Sequence, residues 1–348
     1  MNPTSKENWS PLLHGVYVIA EAGVNHNGDL ALAHRLIDEA VQAGANAVKF
    51  QTFQTEKLVT QSAPQAVYQS VNMGKSTTQF EMLKKLELSH EDHEKLKNYA
   101  VESGIDFLST PFDFESADFL NALGVPFFKV PSGEITNRPF ILHLARFLKP
   151  LIVSTGMSTL EEVKRVRTWL LEKSHDEQVY LHCTSSYPAE FSEVNLNAMK
   201  TMGEALGVAV GYSDHTLSLE VPFAAAVLGA CVIEKHFTLD QNLPGPDHKA
   251  SLVPSELKKM VDQIRKIPSF MGSSEKKPTE KERETLKVAR KSLVLSRALQ
   301  SGDQITEGDL EIKRPGTGIP PFELEKVVGK ILKVSLEEDT PIQWEHLK

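Results

Sequence analysis

The chain has 348 residues, 41% of them hydrophobic and 24% charged, with a formal net charge of −8 at pH 7. That is enough chain to bury a core without disulfide or metal staples. The acidic balance, with no basic run, argues against a polynucleotide partner, and no apolar run reaches the ~20 residues of a membrane span.

The two cysteines, Cys183 and Cys231, form no CxxC pattern, which is the usage expected in a reducing cytoplasm. The opening MNPTSKENWSPLLHG lacks a basic stretch followed by an apolar one, so no secretory leader is expected. Without secretion the Asn8-Trp9-Ser10 sequon carries no meaning.

In chain order, eight short apolar runs read as strands: VYVIAEAG (16–23), NAVKFQTF (46–53), IDFLSTPF (105–112), FFKVPSGE (127–134), LIVSTGM (151–157), VYLHCTS (179–185), VAVGYSD (208–214) and CVIEKHF (231–237). Between them, segments such as LALAHRLIDEAVQAGA (30–45) repeat apolar residues every three to four positions and read as helices. Ser89 and Ser158 stand where helix N-caps are expected. Eight strand–helix units predict a (β/α)8 TIM barrel, with a doubly wound sheet as the alternative.

One connection, 54–88, is long. Such loops in compact domains are usually functional, and this one is expected over the barrel mouth. Near residue 271 the chain turns polar and charged, at GSSEKKPTEKERET. The reading is a barrel over 1–275, a linker over 276–287 and a small C-terminal domain over 288–348. So short a tail is expected to pack on the barrel or on a second subunit.

In a barrel, functional groups gather at the C-terminal ends of the strands. Here those ends carry Glu21, Asn25 and His26; Lys49 and Gln51; Ser109 and Thr110; Lys129, Ser132 and Glu134; Ser154 and Thr155; Thr184 and Ser185; Ser213, Asp214 and His215; Glu234, Lys235 and His236. Buried polar groups are costly without partners, so polar clusters at one end of eight strands imply a polar ligand. Lys49 and Lys129, among the hydroxyls of Thr110, Ser132, Ser154, Ser185 and Ser213, supply the charge and donors that a phosphate needs. Any one of these residues could equally be a solvated strand end.

His215 and His236 fall on adjacent strands, and with water or a carboxylate they could make an open divalent-metal site. A lone histidine is more often a core or surface residue, so spacing alone leaves this open. His90 and His93 read as exposed helix residues. No GxGxxG in a βαβ setting, no phosphate-binding GxxxxGK[ST] loop and no GxSxG elbow occurs. Ser213, Asp214 and His215 are adjacent in sequence and cannot easily form a hydrolase triad.

The segments EAGVNHNGDL (21–30), VKFQTF (48–53), FLSTPFD (107–113), KVPSGEITN (129–137), STGM (154–157), LHCTSSYP (181–188), GYSDHT (211–216), EKHFT (234–238) and GPDHKASL (245–252) resemble the bacterial N-acetylneuraminate synthase family. That family includes the N,N'-diacetyllegionaminate and pseudaminate synthases. The tail, with RKSLV (290–294) and KRPGTGI (313–319), looks like the family's antifreeze-like (SAF) cap domain.

The resemblance implies that C3 of phosphoenolpyruvate attacks the aldehyde of an open-chain N-acyl amino sugar. Water adds at C2, and phosphate leaves with C–O cleavage. It implies a divalent metal, Mn2+ with Mg2+ or Co2+ as alternatives, on His215 and His236. It assigns Lys49, Thr110, Lys129, Ser132, Ser154, Ser185 and Ser213 to phosphoenolpyruvate; where the family often has Asn, this chain has Ser185 and Ser186. Glu21, Glu134 and Asp247 match acidic positions at the sugar site. Glu134 would act in proton transfer, and Glu21 and Asp247 would hold sugar hydroxyls or support the metal. Arg314 matches an arginine that a partner's cap inserts toward the N-acyl group in a domain-swapped homodimer. The acceptors to weigh are N-acetylmannosamine and 2,4-diacetamido-2,4,6-trideoxymannose; the 54–88 loop, with Tyr68-Gln69, is similar to that of legionaminate synthases. Two other readings stay open: a Schiff-base lyase or aldolase using Lys129, and a non-catalytic carbohydrate-binding protein.

Overall fold

The computed structural model describes residues 15–74 and 77–348; the Asn8 sequon lies outside them. The chain divides into a compact unit ending at Met271 and a second one, Gly272–Lys348.

The first unit is a barrel of eight parallel strands. They are β1 (Tyr17–Gly23), β2 (Ala47–Thr52), β3 (Asp106–Pro111), β4 (Phe128–Val130), β5 (Leu151–Ser154), β6 (Gln178–Cys183), β7 (Ala209–Asp214) and β8 (Val232–His236). Each lies within a run expected from the sequence, give or take a residue. The hydrogen-bonded order β3-β2-β1-β8-β7-β6-β5-β4 closes the barrel except at the β3–β4 seam, so the doubly wound alternative is set aside. Eight helices follow the strands: α1 (Leu30–Ala43), α2 (His90–Glu102), α3 (Phe114–Leu123), α4 (Arg138–Ala145), α5 (Leu160–Leu171), α6 (Asn197–Leu206), α7 (Glu220–Val227) and α8 (Pro254–Met271).

Local chemistry sets the helix ends. Asp29 caps α1 by accepting from the Ala31 and Leu32 amides, and Gly44, in the left-handed region at φ 78°, ends it. Between them Ala33, Leu36, Ile37, Ala40 and Ala43 are buried, the one-sided stripe of a helix on a sheet. Ser89 caps α2, with Asp92 bonding back. For α5 the cap is Thr159, paired with Glu162, one residue after the expected Ser158. Thr159 is the better cap because a glutamate three residues on completes the capping box.

Alternation along the strands separates two cores. Outward residues such as Val18, Ala20, Val48, Phe50, Phe128, Val153, Tyr180, Tyr212 and Ile233 pack under the helices. Inward residues Tyr17, Ile19, Ala47, Leu108, Phe127, Ile152, Val179, Leu181 and Val232 fill the barrel. On β7 the inward position is Gly211, where any Cβ would overlap the Val232 carbonyl oxygen and approach Leu181 Cδ2 to 2.6 Å.

The 54–88 connection contains short helices at Thr55–Leu58, Val67–Met73 and Gln79–Lys84. Asn72 Nδ2 donates to the Pro246 carbonyl at 2.7 Å, and Tyr68 stacks on Tyr187 with ring centroids 5.1 Å apart. The loop therefore crosses to the connections after β6 and β8, over the barrel mouth as expected.

His93 corrects the reading of an exposed residue: it is fully buried. Its Nε2 meets Thr52 Oγ1 at 2.9 Å, and its Nδ1 meets the Ser89 carbonyl at 2.9 Å. A helix face that looks polar can turn inward when the sheet beneath offers a hydroxyl. His90 is exposed. Both cysteines are free.

In the second unit the expected linker is occupied from Glu280 by a helix, Glu280–Ala289, capped by Thr279. The antiparallel strands β9 (Ser292–Leu295) and β10 (Leu310–Lys313) follow. Leu293, Leu295, Leu299, Ile305, Ile319, Val327, Leu332, Ile342 and Leu347 form an apolar cluster, so this small unit gathers a core of its own. Among the described residues no helix is long and apolar enough to cross a membrane.

One ion pair lies between sheet and helices. Lys235 Nζ is 2.5 Å from Asp214 Oδ2, and both side chains are 0% exposed. Lys235→Met should leave the Asp214 carboxylate uncompensated and cost roughly 3–5 kcal/mol of unfolding free energy. The double change Asp214→Asn with Lys235→Met should cost clearly less. Urea denaturation of wild type, single and double variants measures this, and equal losses would show that stranded charge is not the cause.

Candidate active site

The inward positions turn polar together at the C-terminal ends of the strands. Register explains why. Glu21 pairs with Lys49 across β1–β2 and with His236 across β1–β8. Cys183 pairs with Ser213, and Ser213 with Glu234. Paired residues of parallel strands share a face, so these side chains converge on one cavity floor.

Four charges meet there. Lys49 Nζ lies 2.7 Å from Glu21 Oε2 and 3.6 Å from Glu234 Oε2, and donates to Thr110 Oγ1 at 2.9 Å. Lys129 Nζ lies 3.2 Å from Glu234 Oε1 and donates to Ser154 Oγ at 2.7 Å. Ser213 donates to Glu234 Oε1 at 3.0 Å. All four charged side chains are buried.

The electrostatics follow from these contacts. Burial opposes the charge on Glu234, but Lys129 and then Lys49 overcome it and hold the carboxyl down at about 2. Burial lowers the Lys129 ammonium although Glu234 pulls it up. Burial lifts Glu21 to about 7 against the pull of Lys49, whereas Lys49 is itself raised by Glu21 and Glu234 despite burial. These directions compete within one pair, and the 2.7 Å approach favours the charged form of both partners.

The remaining hydroxyls divide. Ser132 Oγ lies 3.2 Å from Cys183 Sγ and accepts from the Gly156 amide at 2.9 Å. A Cβ on Gly156 would overlap Ser185 Oγ and stand 2.9 Å from Ser132 Oγ. Glycine here leaves a pocket of two hydroxyls, a thiol and a backbone amide beside the lysines. Thr110 and Ser154 therefore touch the lysines directly, Ser213 acts through Glu234, and Ser132 and Ser185 line the adjoining wall.

His215 and His236 come together, with ring centroids 5.6 Å apart. His215 Nδ1 meets the Thr184 carbonyl at 2.6 Å, a contact that makes Nδ1 the protonated nitrogen and frees Nε2. His236 Nδ1 is buried with no hydrogen-bond partner among the described residues. Burial lowers the pKa of His215; burial, then His215 and Lys49, lowers that of His236. Both rings are thus neutral, with lone pairs available for a cation. Tyr187 packs on His215 at 4.2 Å between centroids.

Of the acidic candidates, Glu134 ends a short 3-10 turn, Ser132–Glu134. It is half-buried, burial raises its carboxyl, and Asn137 Nδ2 donates to it at 2.5 Å. Asp247 is buried, and burial lifts its carboxyl to about 6. Arg314 is exposed on the C-terminal unit, preceding a cis bond to Pro315.

Some strand-end residues read as facing a ligand do not. Asp214 and Lys235 face the helix layer, where they pair. Ser109 bonds Thr52 Oγ1 at 2.6 Å, and Thr155 donates to the Leu181 carbonyl at 2.9 Å. His26 Nδ1 accepts from the Gly28 amide at 3.0 Å. Conversely, Glu234 joins both lysines, a role the sequence reading left unassigned. Its signal was an acid at an inward position of a buried strand, which requires cationic partners. Tyr187, which lies in the LHCTSSYP motif but was given no role of its own, was also missed.

Comparison with known proteins agrees with this geometry. Residues 36–276 match the NeuB family model, and residues 290–348 match the SAF domain. The chain is 50% identical to N,N'-diacetyllegionaminic acid synthase of Legionella pneumophila, covering 95% of this chain and 94% of that protein. It is 47% identical to the N,N'-diacetyllegionaminic acid synthase of Campylobacter jejuni, covering 94% and 98%. The solved N-acetylneuraminic acid synthetase of Leptospira borgpetersenii superposes with a TM-score of 0.69 at 33% identity, covering 78% of this chain and 90% of that one. With its eight-stranded barrel, its lysine–glutamate floor and its C-terminal SAF domain, the chain belongs to the NeuB family of sialic-type acid synthases.

Proposed function

We propose that this enzyme condenses phosphoenolpyruvate with 2,4-diacetamido-2,4,6-trideoxymannose, giving N,N'-diacetyllegionaminate and phosphate. The observation that carries the chemistry is the floor on which Lys49 and Lys129 converge with hydroxyl donors beside two neutral imidazoles. The choice of sugar rests on the relatives: about half of the chain is identical to two proteins named for that product, against 33% for a neuraminic acid synthetase. N-acetylmannosamine is the competing acceptor.

The roles come from the family resemblance, and the contacts on the floor support them. Lys49 and Lys129 hold the carboxylate and phosphate of phosphoenolpyruvate, with Thr110, Ser154 and Ser213 supplying or orienting donors. Ser132, held by the Gly156 amide, and Ser185 face the phosphate oxygens. C3 of the enol bonds to the aldehyde carbon, one water adds at C2, and the C–O bond to phosphate breaks. Glu134, with its carboxyl lifted by burial, passes the proton. Asp247 and Glu21 hold sugar hydroxyls. Arg314 reaches the N-acyl group from the cap of a partner subunit in a domain-swapped homodimer.

The imidazoles fit a divalent cation, Mn2+ with Mg2+ or Co2+ as alternatives. The fit rests on the unpartnered His236 Nδ1 and on the Thr184 carbonyl fixing the ring of His215. Among the described residues no third His, Cys, Asp or Glu completes a metal cluster, so substrate and water would supply the other ligands. Such an ion would polarise the aldehyde oxygen; the protein's part is to hold both rings neutral and oriented.

Phosphate release from phosphoenolpyruvate should require 2,4-diacetamido-2,4,6-trideoxymannose and yield a nine-carbon acid by mass spectrometry. Faster turnover with N-acetylmannosamine would reassign the acceptor. Full activity in excess chelator would remove the metal from the reading; His215→Ala and His236→Ala should each abolish metal-dependent turnover.

Lys129→Met should raise the phosphoenolpyruvate KM about tenfold or more, consistent with losing a charged hydrogen bond of about 1.5–3 kcal/mol, and leave the sugar KM within about twofold. Steady-state kinetics on both substrates decides it, and unchanged values for both would end the phosphate assignment. A pyruvate adduct trapped on Lys129 by borohydride would instead favour the Schiff-base lyase.

A further inference from the structure

Behind the two imidazoles, on the opposite face of β7 and β8, lies the buried ion pair of Asp214 and Lys235. Each member is the chain neighbour of one imidazole: Asp214 precedes His215, and Lys235 precedes His236. The last ladder pair of β7 and β8 is Asp214 with Lys235; His215 follows β7 directly, and His236 is the last residue of β8, paired with Glu21 of β1.

The pair does more than neutralise itself. Asp214 Oδ1 accepts from the Thr216 amide at 3.0 Å, and Asp214 Oδ2 accepts from the Thr216 hydroxyl at 3.1 Å. That closes a turn around His215. Lys235 Nζ donates to the Thr216 carbonyl and to the Ser218 carbonyl at 3.4 Å. Both charged groups thus grip the chain just after His215: the ammonium on β8 through the Thr216 and Ser218 carbonyls, and its carboxylate partner through the Thr216 amide and hydroxyl. Thr184, through its carbonyl on His215 Nδ1, fixes the ring itself.

We infer that Asp214 and Lys235 are positioning residues that set the His215–His236 separation for divalent-metal binding, acting from outside the cavity through the backbone of both strands. This rests on the metal reading proposed above. A pair serving only to bind helix layer to sheet would need no bonds to the turn that carries His215. Partners that orient metal ligands typically change metal affinity roughly 10–100-fold when replaced.

The test uses the full-length protein stripped of metal, titrated with MnCl2 by calorimetry, with phosphoenolpyruvate binding measured separately without metal. The Asp214→Asn/Lys235→Met double variant removes both charges together. Folded by circular dichroism, it should bind Mn2+ at least about tenfold more weakly while its phosphoenolpyruvate Kd stays within about twofold. A uniformly weakened fold would shift both constants alike, and a folded variant with the wild-type Mn2+ Kd would overturn the inference. Should the double variant not fold, Asp214→Asn alone, which keeps the side-chain shape, is judged by the same two constants. Absence of Mn2+ binding to the wild type would instead sink the metal reading, and the positioning role with it.

Discussion

Four charges share the inside of a barrel whose deeper layers are apolar, and the rest of the site is arranged around them. Taking an ammonium or a carboxylate out of water costs several kcal/mol per ion unless partners replace the water. Lys49, Lys129, Glu21 and Glu234 meet that demand only together. Glu234 is the shared member, reached by both lysines and by Ser213. The lysines are therefore not bare cations. In the function proposed above, a phosphorylated enol would meet a floor of zero net charge, and its binding would depend on donors already aimed into the cavity rather than on an excess of positive charge. The proposed polyanion site is thereby compatible with a net charge of −8.

The fold was legible because a TIM barrel writes two patterns over each other. Short apolar strand runs and helices with a 3.6-residue stripe alternate eight times, a count that favours a barrel over the doubly wound sheet. The inward layers could also be read: on β1, Tyr17 and Ile19 precede Glu21, and on β2, Ala47 precedes Lys49. What could not be read was parity at the strand ends. Ser109, Thr155, Asp214 and Lys235 were grouped with the ligand-facing residues because they adjoin them. A shift of one position sends a side chain to the other face of the sheet, and residue type alone does not say which face it takes. His93 misled for a related reason: its buried partner, Thr52, lies on a different element.

The same parity explains why the two imidazoles meet. Ser213 with Glu234 on the inner face, and Asp214 with Lys235 on the outer, are consecutive rungs of one ladder. Both rungs are polar and both are buried. If β8 slipped by one residue against β7, Lys235 would enter a cavity that already holds two ammonium groups. Glu234 would then lie in the apolar layer beneath the helices. Each error leaves a buried charge unpaired, so the two rungs penalise the same slip from opposite sides of the sheet. Apolar rungs would tolerate it far better, since one aliphatic side chain can take the place of another. The strands that must place His215 against His236 are thus the ones whose register is held by charge.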